Sequence, residues 1–222
     1  MIKKLSIEDI NAVAQAQMEL VPDSYLSRLG QGFLSIYYHQ VCRSSFSAGF
    51  VYVYNEKIAG YMTATEDSSR LLKDVFKHNF FELIMTFFIV LIRNPKVFLD
   101  GIKLIFFIVF DRQERANKIK AELNTFGVLP EYRSRDFFRE TKIKISKELF
   151  EKCIEFLRKR GIGFVKVSTR SDNAAINNFY KKMGFEVKYT YRSPVIRYDG
   201  ATFSYMNVLD INKYFTERAG RD

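Results

Sequence analysis

The sequence predicts an α/β fold of the α+β kind, one sheet flanked by helices. Three observations carry that reading. Residues 121–185 alternate strand and helix signals in the order strand–loop–helix–strand–helix–strand. Phe50–Tyr54 and Ile58–Thr65 flank Asn55-Glu56-Lys57 and read as two antiparallel strands joined by a short turn. Apolar residues at helical spacing precede them, first Ile10, Val13, Ala14 and Met18, then Phe33, Leu34, Tyr37, Tyr38 and Val41.

The 222 residues suit a single domain over 1–222, and 47% hydrophobic residues are enough for a sizeable core. A net charge of +10 favours a polyanionic partner, whether nucleotide cofactor, nucleic acid or anionic membrane surface. Cys42 and Cys153 fall in helix-patterned stretches and read as reduced thiols. The opening MIKKLSIEDI has no apolar signal core, so a cytoplasmic chain is expected.

Taken in order, Ile2–Leu5 is a short strand. Ser6 then caps a helix whose first turn carries Glu8 and Asp9, at the positive end of the helix dipole. That helix runs to about Leu20, and Val21-Pro22-Asp23-Ser24 breaks it. From about 68 to 118 the chain changes character. Two dense apolar runs, Leu83–Ile92 and Leu104–Phe110, lie either side of Arg93-Asn94-Pro95-Lys96 and suggest an inserted helical hairpin. Such a hairpin packs on the domain's own sheet, joins a homodimer, covers an acceptor pocket or rests on a membrane surface at the inner face, and the sequence leaves these open.

Ala121–Leu129 is a strand that stops at Pro130. The helix after it is placed from its end, where Arg158-Lys159-Arg160-Gly161 joins positive charge to a glycine cap. Its apolar face is Ile145, Leu149, Phe150, Cys153, Ile154 and Leu157. Phe164–Thr169 is the next strand, and Asp172 or Asn173 caps a helix closed by Gly184. Phe185, Val187, Tyr189 and Tyr191 alternate with polar residues in a half-buried strand. Val195–Tyr198, Asp199-Gly200 and Phe203–Leu209 read as a final hairpin, with a loose tail from Asn212.

Two of these pieces carry a family resemblance: Phe126-Gly127-Val128-Leu129-Pro130-Glu131-Tyr132-Arg133, and Asn173 with Phe179-Tyr180, Lys182 and Gly184-Phe185. In that spacing the chain resembles the GCN5-related N-acetyltransferase superfamily, loosely over Ile2–Thr65 and well over Ala121–Leu209. The resemblance implies a mixed, mostly antiparallel sheet with a V-shaped split. It also implies transfer of acetyl from acetyl-CoA to an amine of a small molecule, amino sugar or peptide, by direct attack in a ternary complex and with no metal. Tyr180 would protonate the departing thiolate, Asn173 would lie near the cofactor, and the strand at Phe126, Gly127 and Val128 would expose backbone to its pantetheine arm. Gly127 would let another backbone approach closely.

The family's Q/R-x-x-G-x-G/A phosphate run is missing. Counting forward from Pro130 puts Arg133, Asp136 and Phe138 at its key places, and counting back from Gly161 puts Thr141, Lys144 and Ser146 there. Ser134–Glu140 therefore reads as inserted. Arg133, Lys142 and Lys144, with Ile145 and Ser146 at the helix opening, make a modified phosphate site. Glu122, at the start of the strand beside the cleft, is the candidate general base. His39 and His78 have no partner at ligand spacing, which disfavours a metal. The scattered basic residues disfavour nucleic acid. The altered phosphate run also admits a non-catalytic interaction module that keeps the fold and binds coenzyme A weakly.

Overall fold

A computed structural model describes residues 1–93, 95–96, 99, 119–192 and 203–219. The expected run Leu104–Phe110, Asn94 of the expected break, and the expected strand and turn at 195–200 lie outside the described residues.

Seven strands form one sheet: β1 (Ile2–Lys4), β2 (Ser47–Tyr54), β3 (Lys57–Thr65), β4 (Glu122–Val128), β5 (Phe164–Arg170), β6 (Glu186–Arg192) and β7 (Phe203–Asp210). Their order is β1-β2-β3-β4-β5-β7-β6. Every neighbouring pair is antiparallel except β4–β5, which is parallel. The helices are α1 (Ile10–Leu20), α2 (Tyr25–Arg28), α3 (Gly30–Arg43), α4 (Ser68–His78), α5 (Phe80–Arg93), α6 (Arg135–Thr141), α7 (Ile145–Lys159), α8 (Ala174–Lys182) and α9 (Ile211–Ala219).

Strand alternation sends successive side chains to opposite faces, so the sheet carries a core on each side. On one face Val51 and Tyr61 pack with Val13, Leu34, Tyr38, Leu71 and Leu83, from α1 and α3 to α5. On the other, Ala59, Met62 and Val165 pack against Leu149, Phe150, Ile154 and Leu157 of α7. The α7 face predicted from spacing is the face that is buried.

The end signals act as the sequence implies. The Asp9 carboxylate accepts from the Ser6 N–H at 3.1 Å and the Ser6 hydroxyl at 2.7 Å, with the Lys3 ammonium at 2.8 Å. Burial alone would raise the Asp9 carboxyl, but these donors outweigh it and hold the group below its usual range. Both α7 and α8 end on a left-handed glycine, Gly161 at φ +73 and Gly184 at φ +89. The Ile162 N–H reaches the Leu157 carbonyl at 3.1 Å, and the Phe185 N–H reaches the Tyr180 carbonyl at 3.0 Å, closing each last turn.

The described part of the insertion is α4 and α5, which meet at a 90° bend. Asn79 marks the bend, its side-chain amide donating to the Val75 carbonyl at 3.1 Å. Two expectations change. The tail is not loose: α9 docks Tyr214 edge-on against Phe150 at 5.7 Å, and Arg218 pairs with Glu151 at 2.5 Å. Val187 is exposed, because β6 is an edge strand whose register shifts between Val187 and Tyr189.

Candidate active site

Strands β4 and β5 pair at Glu122 and Lys166, where the Lys166 N–H donates to the Ala121 carbonyl at 3.0 Å. Beyond that apex β4 stays paired with β3 through Val128, and β5 with β7 through Arg170. Each strand is held on its outer side and released on its inner side, so the sheet forks. A register shift between Thr63 and Ala64 leaves Asn124 as the extra residue on β4, just past the apex. Such a bulge bends and twists the strand that carries it. The Asn124 Oδ1 is buried and has no hydrogen-bond partner among the described residues.

The two faces of the fork differ in chemistry. Toward α7 and α8 it is aromatic. Phe126 of β4 stacks on Phe179 of α8 at 5.2 Å, Phe179 meets Phe150 edge-on at 6.2 Å, and Tyr180 meets Phe185 at 5.1 Å. Tyr180 is buried in this cluster, and burial pushes its phenol above the usual range, with the Cys153 thiol adding to the shift.

The opposite face is polar. The Lys166 ammonium lies 3.9 Å from the Glu122 carboxylate, with the lysine side chain 5% exposed and the glutamate 18%. The Tyr191 hydroxyl donates to the Ser168 hydroxyl at 3.0 Å. Thr63 and Thr125 share a bond of 2.8 Å, and the Tyr38 hydroxyl donates to Gln17 Oε1 and lies 3.3 Å from Thr125 Oγ1. Tyr37 is fully buried, with Thr63 and Glu122 as polar neighbours, and burial raises its phenol.

At the opening of α7 is a cavity of about 860 Å³ whose lining includes Arg133, Lys144, Lys147, Lys181, Lys182 and Arg218 with a single carboxylate, Glu217. Tyr132, Phe138 and Phe179 supply apolar walls. Lys144 precedes the helix, makes no side-chain cap, and its carbonyl accepts from the Lys147 and Glu148 amides. The Ile145 and Ser146 amides come before the first of those bonds and belong to the turn with no intrahelical acceptor. The 15-residue helix thus opens without a side-chain cap among lysines and arginines, an arrangement that favours an anion.

The segment Ser134–Glu140 is helical: the Ser134 hydroxyl accepts from the Phe137 N–H at 3.1 Å and starts α6. Phe137 packs on Tyr54 and Tyr132 at 5.1 and 5.5 Å. These contacts anchor α6 at the β2 side of the sheet. The Lys144 ammonium lies 4.9 Å from the Phe138 ring, at the cavity wall.

Of the residues singled out from sequence, Arg133, Lys144, Ile145 and Ser146 line this cavity together. Glu122 stands at the fork apex and Phe126 on its aromatic face. Val128 is buried in the α7-side core, and Tyr180 and Lys142 are not part of the cavity lining. Lys142 takes the left-handed turn that ends α6, at φ +60. Asn173 spends its Oδ1 on the Ile176 N–H at 3.2 Å, as the cap of α8. Gly127 requires a correction. A Cβ there would lie 2.7 Å from Leu20 and from the Tyr61 ring, so core side chains fill the space the missing side chain leaves. Sequence reasoning missed Lys166 and Asn124. The signal for Lys166 was a lone lysine in the apolar, β-branched run Phe164-Val165-Lys166-Val167. Asn124 had no signal, because a bulge is set by the partner strand. Among the described residues no group of three His, Cys, Asp or Glu side chains is placed to hold a metal.

The sequence model of the Acetyltransferase (GNAT) family matches residues 14–185. No curated protein sequence matches the chain. Among solved structures, the chain is similar to an N-acetyltransferase from Staphylococcus aureus Mu50, with a TM-score of 0.61 and 13% identity over 95% of this chain and 98% of that one. It is similar to Arabidopsis thaliana NAA60 in complex with acetyl-CoA, with a TM-score of 0.58 and 14% identity over 96% and 98%. It is also similar to the ribosomal-protein-S18-alanine N-acetyltransferase from Escherichia coli, with a TM-score of 0.57 and 16% identity over 95% and 93%.

Proposed function

The chain belongs to the GNAT acetyltransferase family, and on that premise we propose that it moves an acetyl group from acetyl-CoA to a primary amine by direct attack in a ternary complex. The observation that carries the proposal is the fork: two parallel strands meet at Glu122 and Lys166 and part, and Phe126 of β4 stacks on Phe179, which lines the basic cavity at the start of α7. Acetyl-CoA supplies the thioester carbonyl that the amine attacks. Arg133, Lys144, Lys147, Lys181 and Lys182, with the first amides of α7, bind the diphosphate. The inner edge of β4 offers backbone groups to the amides of the pantetheine arm. Glu122 takes the proton of the incoming amine, directly or through a water, and Tyr180 protonates the leaving sulfur. Holding both reactants in one fork supplies much of the rate.

The acceptor class is a small molecule or a peptide N-terminus. A peptide is favoured by a solved relative named as a ribosomal-protein-S18-alanine N-acetyltransferase. Thermal denaturation with and without acetyl-CoA tests the binding step, since a ligand at 100 times its Kd adds about 2.7 kcal/mol. Thiol release against a panel of amines and peptides tests the chemistry. A shift without turnover on any acceptor would make the protein a coenzyme A-binding module. No shift at all would overturn the assignment of the cavity.

A further inference from the structure

Helix α5 is apolar on both its inner and its outer face. Its inner face is apolar and packed: Leu83 and Val90 are buried, and Phe87 stacks on Phe76 of α4 at 6.5 Å and meets Phe33 of α3 at 6.2 Å. Its outer face is apolar too. Phe81, Met85, Phe88 and Ile92 fall at i, i+4, i+7 and i+11, one line along the helix, and are 82%, 62%, 57% and 68% exposed. Phe80, Ile84 and Ile89 widen that line and are exposed as well. A helix apolar all round belongs in a core or in lipid, and a soluble surface rarely leaves such a stripe open.

Charge decides what covers it. Exposed Lys73 and Lys77 lie just before the stripe and exposed Arg93 and Lys96 just after it, while Glu82 is the single acid on α5. In a twofold dimer with the helices antiparallel, the Lys77 end of one copy would meet the Arg93 end of the other. With the helices parallel, each end would meet itself. Among the described residues, Lys73, Lys77, Arg93 and Lys96 flank the stripe against only Asp74 and Glu82, so either pairing brings together two faces of net positive charge, on a chain that already carries +10. An anionic lipid surface matches both the stripe and its cationic ends.

Geometry decides how it sits. At 14 residues α5 is roughly 21 Å long, short of the roughly 30 Å hydrocarbon core. It meets α4 at 90°, and among the described residues no single helix is long and apolar enough to cross a membrane. Its inner face is committed to α3 and α4. We propose that α5 lies in the plane of an anionic membrane surface and docks the protein there through Phe81, Met85, Phe88 and Ile92, with Lys73, Lys77, Arg93 and Lys96 at the headgroups. This inference stands on α5 and the charges beside it and does not depend on acetyl transfer.

The chain contains no tryptophan, so Phe88→Trp is a background-free reporter on the exposed stripe. The full chain is mixed with extruded vesicles of phosphatidylcholine alone or with 30% phosphatidylglycerol. The expected result is co-sedimentation with the anionic vesicles, a blue shift of the Phe88→Trp emission, and weakening in high salt. Phe81→Ser with Met85→Ser should lower vesicle affinity roughly tenfold or more. Lys77→Glu with Arg93→Glu should abolish the preference for anionic lipid. Unchanged melting temperatures for these exposed-site variants would show that the fold is intact. Failure to sediment with either vesicle, together with an unshifted Phe88→Trp emission, would overturn the proposal. So would a concentration-dependent dimer that Phe81→Ser and Met85→Ser dissolve, which would assign the face to a second copy.

Discussion

Lys166 and Glu122 face each other at the point where β4 and β5 pair, with Nζ 3.9 Å from the carboxylate and both side chains largely removed from solvent. Neighbouring parallel strands need something to hold their roots while their tips part, and this ion pair sits at the root. A buried lysine is costly to desolvate unless a carboxylate accompanies it. The same carboxylate is the one proposed to receive a proton from an acceptor amine.

Lys166→Met should cost about 2–4 kcal/mol of stability, because it strips the cation from a mostly buried carboxylate. Glu122→Gln keeps the shape and a hydrogen-bonding group, so it should cost less stability while lowering kcat by roughly 10²-fold. Urea midpoints and steady-state kinetics on the two variants check this. A Glu122→Gln enzyme with full kcat and reduced stability would make the residue a strut alone.

Tyr180→Phe isolates the second proton transfer. The ring is packed on Phe179 and Phe185, and the substitution keeps that packing while removing the hydroxyl. Burial raises the phenol, so it remains protonated through the working pH range and has a proton to give. A fall in kcat of about 10²-fold, with KM for acetyl-CoA little changed, is the expected outcome. Unaltered kcat would leave Tyr180 a core residue only.

Stability should collapse in alkali. Tyr37, Tyr38, Tyr61 and Tyr180 are all raised above 10.0, and Cys153 above 9.0, with burial the first cause in each. A group raised in the folded state favours the neutral form there, so its contribution is complete below its unfolded value and is lost as pH climbs toward the folded one. The decline should begin near pH 9 and steepen above 10, each group removing about 1.4 kcal/mol per pH unit. Urea midpoints between pH 8 and 11 check the slope, and Tyr180→Phe should make it shallower. A flat profile to pH 11 would show that these groups are not buried as described.

Much of this architecture was legible in the chain. The caps at Ser6 and Asn173, the stops at Gly161 and Gly184, and the apolar face of α7 are local features with local causes. The fork was an expectation of the family resemblance alone, carried by the strand ending at Pro130 and the phrase from Asn173 to Phe185. What stayed hidden depends on partners distant in sequence. Gly127 looked like a place for a backbone to approach, but Leu20 and Tyr61 fill the space, and neither is near it in the chain. Asn124 became the bulge residue only through its register with β3. The tail after Asn212 is helical because Phe150 and Glu151 receive Tyr214 and Arg218. The basic loop could be counted two ways from its ends, and the helix at Arg135–Thr141 that fills the difference depends on Phe137 packing against the distant Tyr54.

Gly127→Ala tests the corrected role of that residue. The added methyl meets Leu20 and Tyr61 at 2.7 Å, inside van der Waals contact, in a core with no room to yield cheaply. The cost should be roughly 1–3 kcal/mol, read as a lower urea midpoint, with KM for acetyl-CoA changed less than twofold or so. A stable variant with a much raised KM would return Gly127 to the cofactor.

Lys144→Glu probes the phosphate end of the site. Lys144 sits where the uncapped start of α7 meets the cavity, flanked by Arg133, Lys147, Lys181 and Lys182. Reversing its charge opposes the diphosphate and leaves the fork, some turns of chain away, as it is. The KM for acetyl-CoA should rise roughly tenfold at low salt, with the loss partly masked at high ionic strength as exposed charges are screened. The KM for the acceptor should stay put, because nothing at the polar face of the fork has changed. Initial rates with each substrate varied in turn separate the two constants. An equal rise in both would mean that Lys144 supports the fold rather than the phosphates.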